Sequence, residues 1–171
     1  MNYSRHLVLY SGGADSTHFI QSEPTATHLI HFVGLNADQT KIAAINATAL
    51  NRHLDMVGGG ETAFSQRDGE INQIHALYDT QMVVAAGIKA LSYGMRGLVV
   101  CFNADDIGID FDAVGQIFKR VDPDFEILTS LRTTSAKQIR ESLQANPDSL
   151  KYSSCMHSVD CGFCPKCKRG Y

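Results

Sequence analysis

The chain is expected to form an α/β fold, a parallel sheet with helices on both faces. Short apolar runs alternate along it with stretches of helical periodicity, the pattern of successive strand–helix units. The run Gly97-Leu98-Val99-Val100-Cys101-Phe102 is continuously apolar, as a parallel strand covered on both sides should be. Another apolar run, His6-Leu7-Val8-Leu9-Tyr10, ends directly on Ser11-Gly12-Gly13-Ala14-Asp15-Ser16. A strand that stops at a glycine pair and re-enters a helix is the usual opening of such a fold.

The elements follow in order. His6 to Tyr10 reads as the first strand and Asp15 to Gln21 as the first helix. Thr27 to Phe32 reads as a second strand. Lys41 to Leu54 reads as a helix, with Ile42, Ile45, Ala49 and Leu50 spaced for one buried face. Asp55-Met56-Val57 reads as a short third strand, stopped by Gly58-Gly59-Gly60. Glu61 to Asn72 is polar and reads as a loop, long enough to suggest function. Leu77 to Tyr93 reads as a long helix carrying Met82, Val83, Ala86 and Ala90. Gly97 to Phe102 is the buried strand, Phe111 to Arg120 a helix and Phe125 to Leu128 a strand. Ser135-Ala136-Lys137-Gln138 has the capping-box pattern before a helix reaching Leu143, and Asn146-Pro147 stops it. Ligands of such a sheet bind beyond the carboxyl ends of its strands. The turn after the first strand and the loop after Phe102 open at that edge.

The glycine turn is the first candidate site. Glycines let the backbone turn tightly and approach a ligand with no side chain between. Successive N–H groups and the positive end of the following helix then converge on one anion. Ser11 and Ser16 supply hydroxyl donors, and the Asp15 carboxylate can orient water or magnesium. No Gly-Lys-Ser/Thr follows, so this is not a Walker-type loop. The plain alternative is an ordinary glycine turn.

The second candidate is Cys155, Cys161, Cys164 and Cys167, spaced Cys-x5-Cys-x2-Cys-x2-Cys. Four thiolates this close can surround one zinc ion, and Gly162 and Pro165 suit the tight turns required. Disulfides and reactive thiols are the competing uses. Met1 to Arg5 is short and polar, and the apolar run after it is too short for a signal peptide, so a cytoplasmic, reducing setting is expected. Clustered cysteines there favour metal. Cys101 stands apart and reads as a buried core thiol.

The 171 residues, 44% apolar, amount to one domain, with residues 1–150 as the core and 151–171 as a zinc-binding knuckle. A net charge of −3 gives no footprint for non-specific nucleic-acid binding, and no stretch is apolar enough to span a membrane.

Taken together, the two ends resemble the 7-cyano-7-deazaguanine synthase family, a branch of the PP-loop ATP pyrophosphatases. The resembling residues are Ser11-Gly12-Gly13-Ala14-Asp15-Ser16-Thr17, Asn103-Ala104-Asp105-Asp106, Lys137, and the Ser154-Cys155 and Cys161-Gly162-x-Cys164-x-x-Cys167 ending. The resemblance implies a Rossmann-like, adenine nucleotide alpha hydrolase-like fold, with Ser11, Gly12, Gly13, Asp15, Ser16 and Thr17 holding ATP. It implies Asp15, Ser16, Asp106 and Lys137 in catalysis, and Asn103, Asp106 and Asp112 against the substrate. Each of Asp106, Asp112 and Lys137 has the alternative of a surface charge or helix cap. The implied cofactors are ATP, Mg2+ and Zn2+, and the implied state is a homodimer. The implied reaction converts 7-carboxy-7-deazaguanine and ammonia to the nitrile through an acyl-adenylate, as in queuosine biosynthesis.

The chain also departs from this family. Its Tyr-Pro-Asp-Cys-Arg is here Asp110-Phe111-Asp112-Ala113-Val114, its Arg-Asn pair aligns with Tyr78-Asp79, and its Gly-Gln pair is absent near Asn36 to Gln39. Other readings are therefore carried. One is a PP-loop enzyme that adenylates another carboxylate or joins a deazapurine to a protein. Others are an enzyme of the tRNA-thiolation type and a nucleotide-binding module without catalysis.

Overall fold

The computed structural model describes residues 1–34, 36–58, 71–106 and 108–155, with side chains from residue 77 onward in the third helix. Five strands form one parallel sheet: β1 (His6–Leu9), β2 (His28–Val33), β3 (His53–Gly58), β4 (Gly97–Val100) and β5 (Glu126–Leu128). Their order is β3-β2-β1-β4-β5. The chain moves outward from β1 to β2 and β3, then returns to place β4 on the other side of β1. The carboxyl ends of β1 and β4 therefore flank the point where the winding reverses, which is where open α/β sheets form a crevice.

Side chains alternate across the sheet. Val8, Tyr10, Leu29, Val99 and Cys101 pack with Ala14, Phe19 and Ile20 of α1 (Ala14–Ser22), Ala43 and Ala47 of α2 (Ala37–Ala49), and Ile139 and Leu143 of α5 (Ala136–Ala145). Leu7, Ile30, Leu98 and Val100 pack with Val83, Ala86 and Ala90 of α3 (Ile71–Ser92) and Val114 and Phe118 of α4 (Phe111–Lys119). The expected Rossmann-like sheet with helices on both faces is the observed fold. Among the described residues no helix is long and apolar enough to cross a membrane.

Two elements differ from expectation. The helix read over Lys41–Leu54 runs instead from Ala37 to Ala49, and its last expected residues belong to β3. Asn51 ends it in the left-handed region (φ 50°), with Arg52 N–H on Ala47 O at 2.8 Å and Asn51 N–H on Thr48 O at 3.0 Å. That pair of bonds is a Schellman stop. The buried face is also different: Ala43, Asn46 and Ala47 face the sheet while Ile45 is 57% exposed. Small residues let the helix approach closely, and Asn46 is buried because its amide has partners, described below. The loop read over Glu61–Asn72 overlaps α3 at Ile71 and Asn72, and its remainder lies outside the described residues. The capping box at Ser135 is present, with the Ser135 side chain accepting from Gln138 N–H and the Gln138 side chain accepting from Ser135 N–H.

Gly97 shows how β1, β4 and β5 are locked in register. His6, Gly97 and Glu126 stand in one row across the three strands. With no side chain on Gly97, His6 Nε2 reaches over it to Glu126 Oε1 at 2.9 Å, and Arg96 Nε joins at 3.3 Å. A Cβ on Gly97 would stand 2.2 Å from the Glu126 carbonyl oxygen. Gly97→Ala is therefore expected to lower unfolding free energy by about 2–3 kcal/mol, the usual cost of overpacking. Gly115, inside α4, has open space around its Cβ position. Gly115→Ala should stabilise by about 0.5–1 kcal/mol through helix propensity. Urea unfolding of the two variants should move the midpoint in opposite directions.

Candidate nucleotide-phosphate site

The turn after β1 is built from its own hydroxyls. Ser11 N–H donates to Ser16 Oγ at 3.2 Å, and Gly13 N–H donates to Ser11 Oγ at 3.1 Å. Ser11 Oγ lies 3.0 Å from Ser16 Oγ, and Ser16 Oγ donates to Gly13 O at 3.4 Å. This assigns each hydroxyl proton: Ser16 gives its own to Gly13 O, so Ser11 donates to Ser16. The two serines hold the loop in shape and take up the N–H groups of Ser11 and Gly13.

Gly12 adopts φ +78°, and a Cβ there would meet Gln39 O at 2.6 Å. Both the backbone conformation and the space require glycine at this position. Gly13 is the N-cap of α1 and supplies no side-chain cap. The first-turn N–H groups of α1 have no partner within the helix, and the helix dipole adds positive potential there. Thr17 N–H makes the first helical bond, to Gly13 O at 3.0 Å. Asp15 lies in that first turn, half-buried. Its charge is felt by His18, opposing the downward shift that burial imposes on that imidazole, and by Cys101 at the end of β4. Burial, reinforced by Asp15, pushes the Cys101 thiol far above its ordinary range, so it is held protonated and unreactive, as a core thiol should be.

A polar seam lies beneath the turn. Tyr10 OH, buried, accepts from Asn46 Nδ2 at 2.7 Å and stands 3.3 Å from Thr17 Oγ1. Burial raises the phenol's pKa, and both hydrogen bonds act against that rise. Asn46, 1% exposed, gives its second N–H to Lys151 O at 2.7 Å. His31 Nδ1 lies 2.9 Å from Tyr10 O and Nε2 2.9 Å from Thr40 Oγ1. A carbonyl only accepts, so the neutral ring carries its proton on Nδ1 and accepts from Thr40 at Nε2.

The loop after β4 faces the turn across the crevice. Asn103 is 3% exposed, and its Oδ1 accepts from Asp105 N–H at 2.7 Å. Asp106 Oδ2 accepts from Asn103 N–H at 2.8 Å, which folds that carboxylate onto its own loop. Asp105, which the sequence did not single out for a role, accepts from Ala136 N–H at 2.8 Å and ties this loop to the start of α5. Arg132 Nη1 donates to Asp106 O at 3.1 Å. Lys137 projects from α5 with 78% of its side chain exposed and lies 3.8 Å from Glu141 Oε1. Asp112 lies exposed in the first turn of α4, behind the N-cap Asp110.

The cysteine set is described only at Cys155, which is 3% exposed; Cys161, Cys164 and Cys167 lie outside the described residues. Among the described residues no group of three His, Cys, Asp or Glu side chains is disposed to hold a metal. The segment leading to Cys155 reaches the glycine turn itself: Ser153 N–H donates to Gly12 O at 3.0 Å. Asn36 Nδ2 donates to Cys155 O at 2.8 Å, and Gln39 Nε2 to Ser153 O at 2.8 Å. Sequence reasoning missed Asn36, Gln39, Asn46 and Ser153. Asn36-x-x-Gln39 at the head of α2 was a usable signal for the cap but not for these distant bonds.

No family model matches the chain, and no curated protein matches it. Solved structures share its fold. A protein described as a predicted subunit of tRNA methyltransferase from Methanocaldococcus jannaschii is 19% identical, with a TM-score of 0.50, over 80% of this chain and 72% of that one. The U34-tRNA thiolase NcsA from Methanococcus maripaludis, determined with its [4Fe-4S] cluster, is 15% identical, with a TM-score of 0.50, over 90% of this chain. This chain spans 59% of the thiolase's length. At these identities the likeness establishes a common α/β fold.

Gly12→Ala is expected to cost at least about 2 kcal/mol, from strain at positive φ and the contact with Gln39 O, measured by urea unfolding. Stability should also fall with acid. Burial lowers the pKa of His31 below its ordinary 6.5, against its bond to Tyr10 O. A depressed folded pKa gives stability that is present above the unfolded value and lost as pH falls through the folded one. The unfolding midpoint should thus drop between pH 7.5 and pH 5, and His31→Gln should flatten that slope.

Proposed function

We propose that the chain is a PP-loop-type ATP pyrophosphatase that activates an acceptor by adenylation. The observation that carries this reading is the Gly12–Gly13 turn with the uncapped helix start behind it, at the switch point between β1 and β4. Its residues fit a polyphosphate: a glycine where any side chain would collide, an uncapped helix start and an acidic residue in the first turn. An acceptor oxygen attacks the α-phosphorus, the bond to the bridging oxygen breaks, and pyrophosphate leaves with that oxygen. The helix start and turn N–H groups stabilise the charge that develops on it. Asp15 is the residue here to hold magnesium, which would neutralise phosphate oxygens. A nucleophile then attacks the activated carbon, its C–O bond breaks, and AMP departs.

For the acceptor we favour a tRNA base, with sulfur as the incoming nucleophile. Support comes from the shared fold, since one similar structure is described as a predicted subunit of tRNA methyltransferase and another as a U34-tRNA thiolase. The segment leading to Cys155 is bonded to the phosphate turn, which brings the start of the cysteine set beside it. A second reading is amidation of a 7-deazapurine carboxylate by ammonia, with the nitrile as end product. The Ser154-Cys155 and Cys161-Gly162-x-Cys164-x-x-Cys167 ending favours it.

Purified protein with Mg-ATP should release AMP and pyrophosphate in the presence of one acceptor system. Unfractionated tRNA with sulfide and 7-carboxy-7-deazaguanine with ammonium are the two to compare, with products read by mass spectrometry. Asp15→Asn should lower AMP formation at least about 100-fold, while its circular dichroism and thermal midpoint stay near wild type. Unchanged turnover in that variant removes the assignment of the turn.

A further inference from the structure

The nucleotide turn is clamped from a distant part of the chain. Gly12 O and Gly13 N–H belong to one planar trans peptide and point in opposite directions. Ser153 N–H holds the carbonyl at 3.0 Å, while Gly13 N–H is aimed at Ser11 Oγ at 3.1 Å. Fixing one end of this peptide fixes the direction of the other, and with it the entry into the uncapped helix start at Gly13. What holds Ser153 therefore decides how the turn presents that helix start.

Gln39 holds Ser153. Its Nε2 donates to Ser153 O at 2.8 Å and lies 3.3 Å from Cys155 O. Its own carbonyl stands where a side chain on Gly12 would be. Gln39 N–H is fixed in turn by Asn36 Oδ1 at 3.2 Å, and Asn36 Nδ2 donates to Cys155 O at 2.8 Å. The result is a closed ring of contacts from Gly12 to Gln39, to Ser153 and back to Gly12. Ser153 Oγ is buried without a hydrogen-bond partner among the described residues, so the ring runs through the Ser153 backbone rather than its hydroxyl.

We propose that Gln39 is a positioning residue of the nucleotide site. Through residues 153–155 it sets the orientation of the Gly12–Gly13 peptide, and so links phosphate binding to docking of the C-terminal segment. This rests on the reading of the turn as a nucleotide site. Because the linkage is thermodynamic, it is reciprocal: a bound nucleotide must hold residues 149–155 more tightly.

The test uses the full chain and Gln39→Met, which keeps length and helix propensity but removes both donors. Mg-ATP affinity is measured by calorimetry, and amide hydrogen exchange is followed across residues 149–155 with and without Mg-ATP. Gln39→Met should bind about tenfold more weakly, the equivalent of one buried hydrogen bond. In wild type Mg-ATP should slow exchange in 149–155; in the variant that effect should be lost. Ser153→Ala, which keeps the backbone bonds, should behave as wild type. Asn36→Ser, which keeps a cap but drops the bond to Cys155 O, is the milder substitute if Gln39→Met does not fold. It should bind about threefold more weakly and show a smaller slowing of exchange in 149–155. An affinity within twofold of wild type in the donor-less variant, or full Mg-ATP protection of 149–155 in it, overturns the proposal. Failure of wild type to bind Mg-ATP instead overturns the nucleotide reading and the positioning role with it. Exchange without nucleotide still shows separately whether Gln39 tethers the segment.

Discussion

The confinement of β1 governs the rest of the molecule. The strand has a hydrogen-bonded neighbour on each edge and helices over each face, so its carboxyl end emerges into protein on most sides. Every polar group there needs a partner. Tyr10 N–H donates to Ile30 O, Tyr10 O accepts from His31, and Tyr10 OH is held by Asn46 and lies beside Thr17. Beyond Tyr10 lies the switch point between β1 and β4. The chain crosses it with a glycine in the left-handed region and starts a helix with no side-chain cap. The same constraint that satisfies the strand thus leaves main-chain donors facing the crevice, where an anion can replace the missing cap.

Charge is distributed in keeping with that arrangement. The hydrogen-bonded row of His6, Glu126 and Arg96 lies at the amino ends of the strands, where it fixes register and is remote from the crevice. On the crevice side the acidic residues are largely occupied by the backbone. Asp105 and Asp106 serve α5 and their own loop, and Asp110 caps α4. Asp15 differs in position, since it stands in the first turn of the uncapped helix and its field reaches Cys101 across the sheet.

Much of this was legible in the sequence where local chemistry decides the outcome. The unbroken apolar strands, the glycine pair after β1 and the capping box at Ser135 each state a local rule, and the structure follows them. The second helix was less legible. Its isoleucines suggest one face, but Ala43, Asn46 and Ala47 are the residues against the sheet, and an asparagine at a core position carries no apolar signal. Its end was marked by Asn51, a residue suited to positive φ, yet the helical reading ran past it into β3. At the site, the turn could be read because its residues are contiguous. Asn36, Gln39 and Ser153 could not, because their roles are set by bonds spanning most of the chain, which no spacing rule encodes.

Those long bonds have a consequence for the order in which the protein is made. The Gly12 turn is synthesised well before residue 153, and α1 can form beside it at once. The carbonyl of Gly12 must nevertheless wait for residue 153, and Gln21 Oε1 for the N–H of Leu150 at 3.1 Å. Closing a loop of that length is entropically slow, and nothing in the early chain can substitute for it. A turn made early is therefore finished only once the later segment has docked. A nascent or truncated chain would carry the recognisable motif in a turn whose central peptide is still free to rotate.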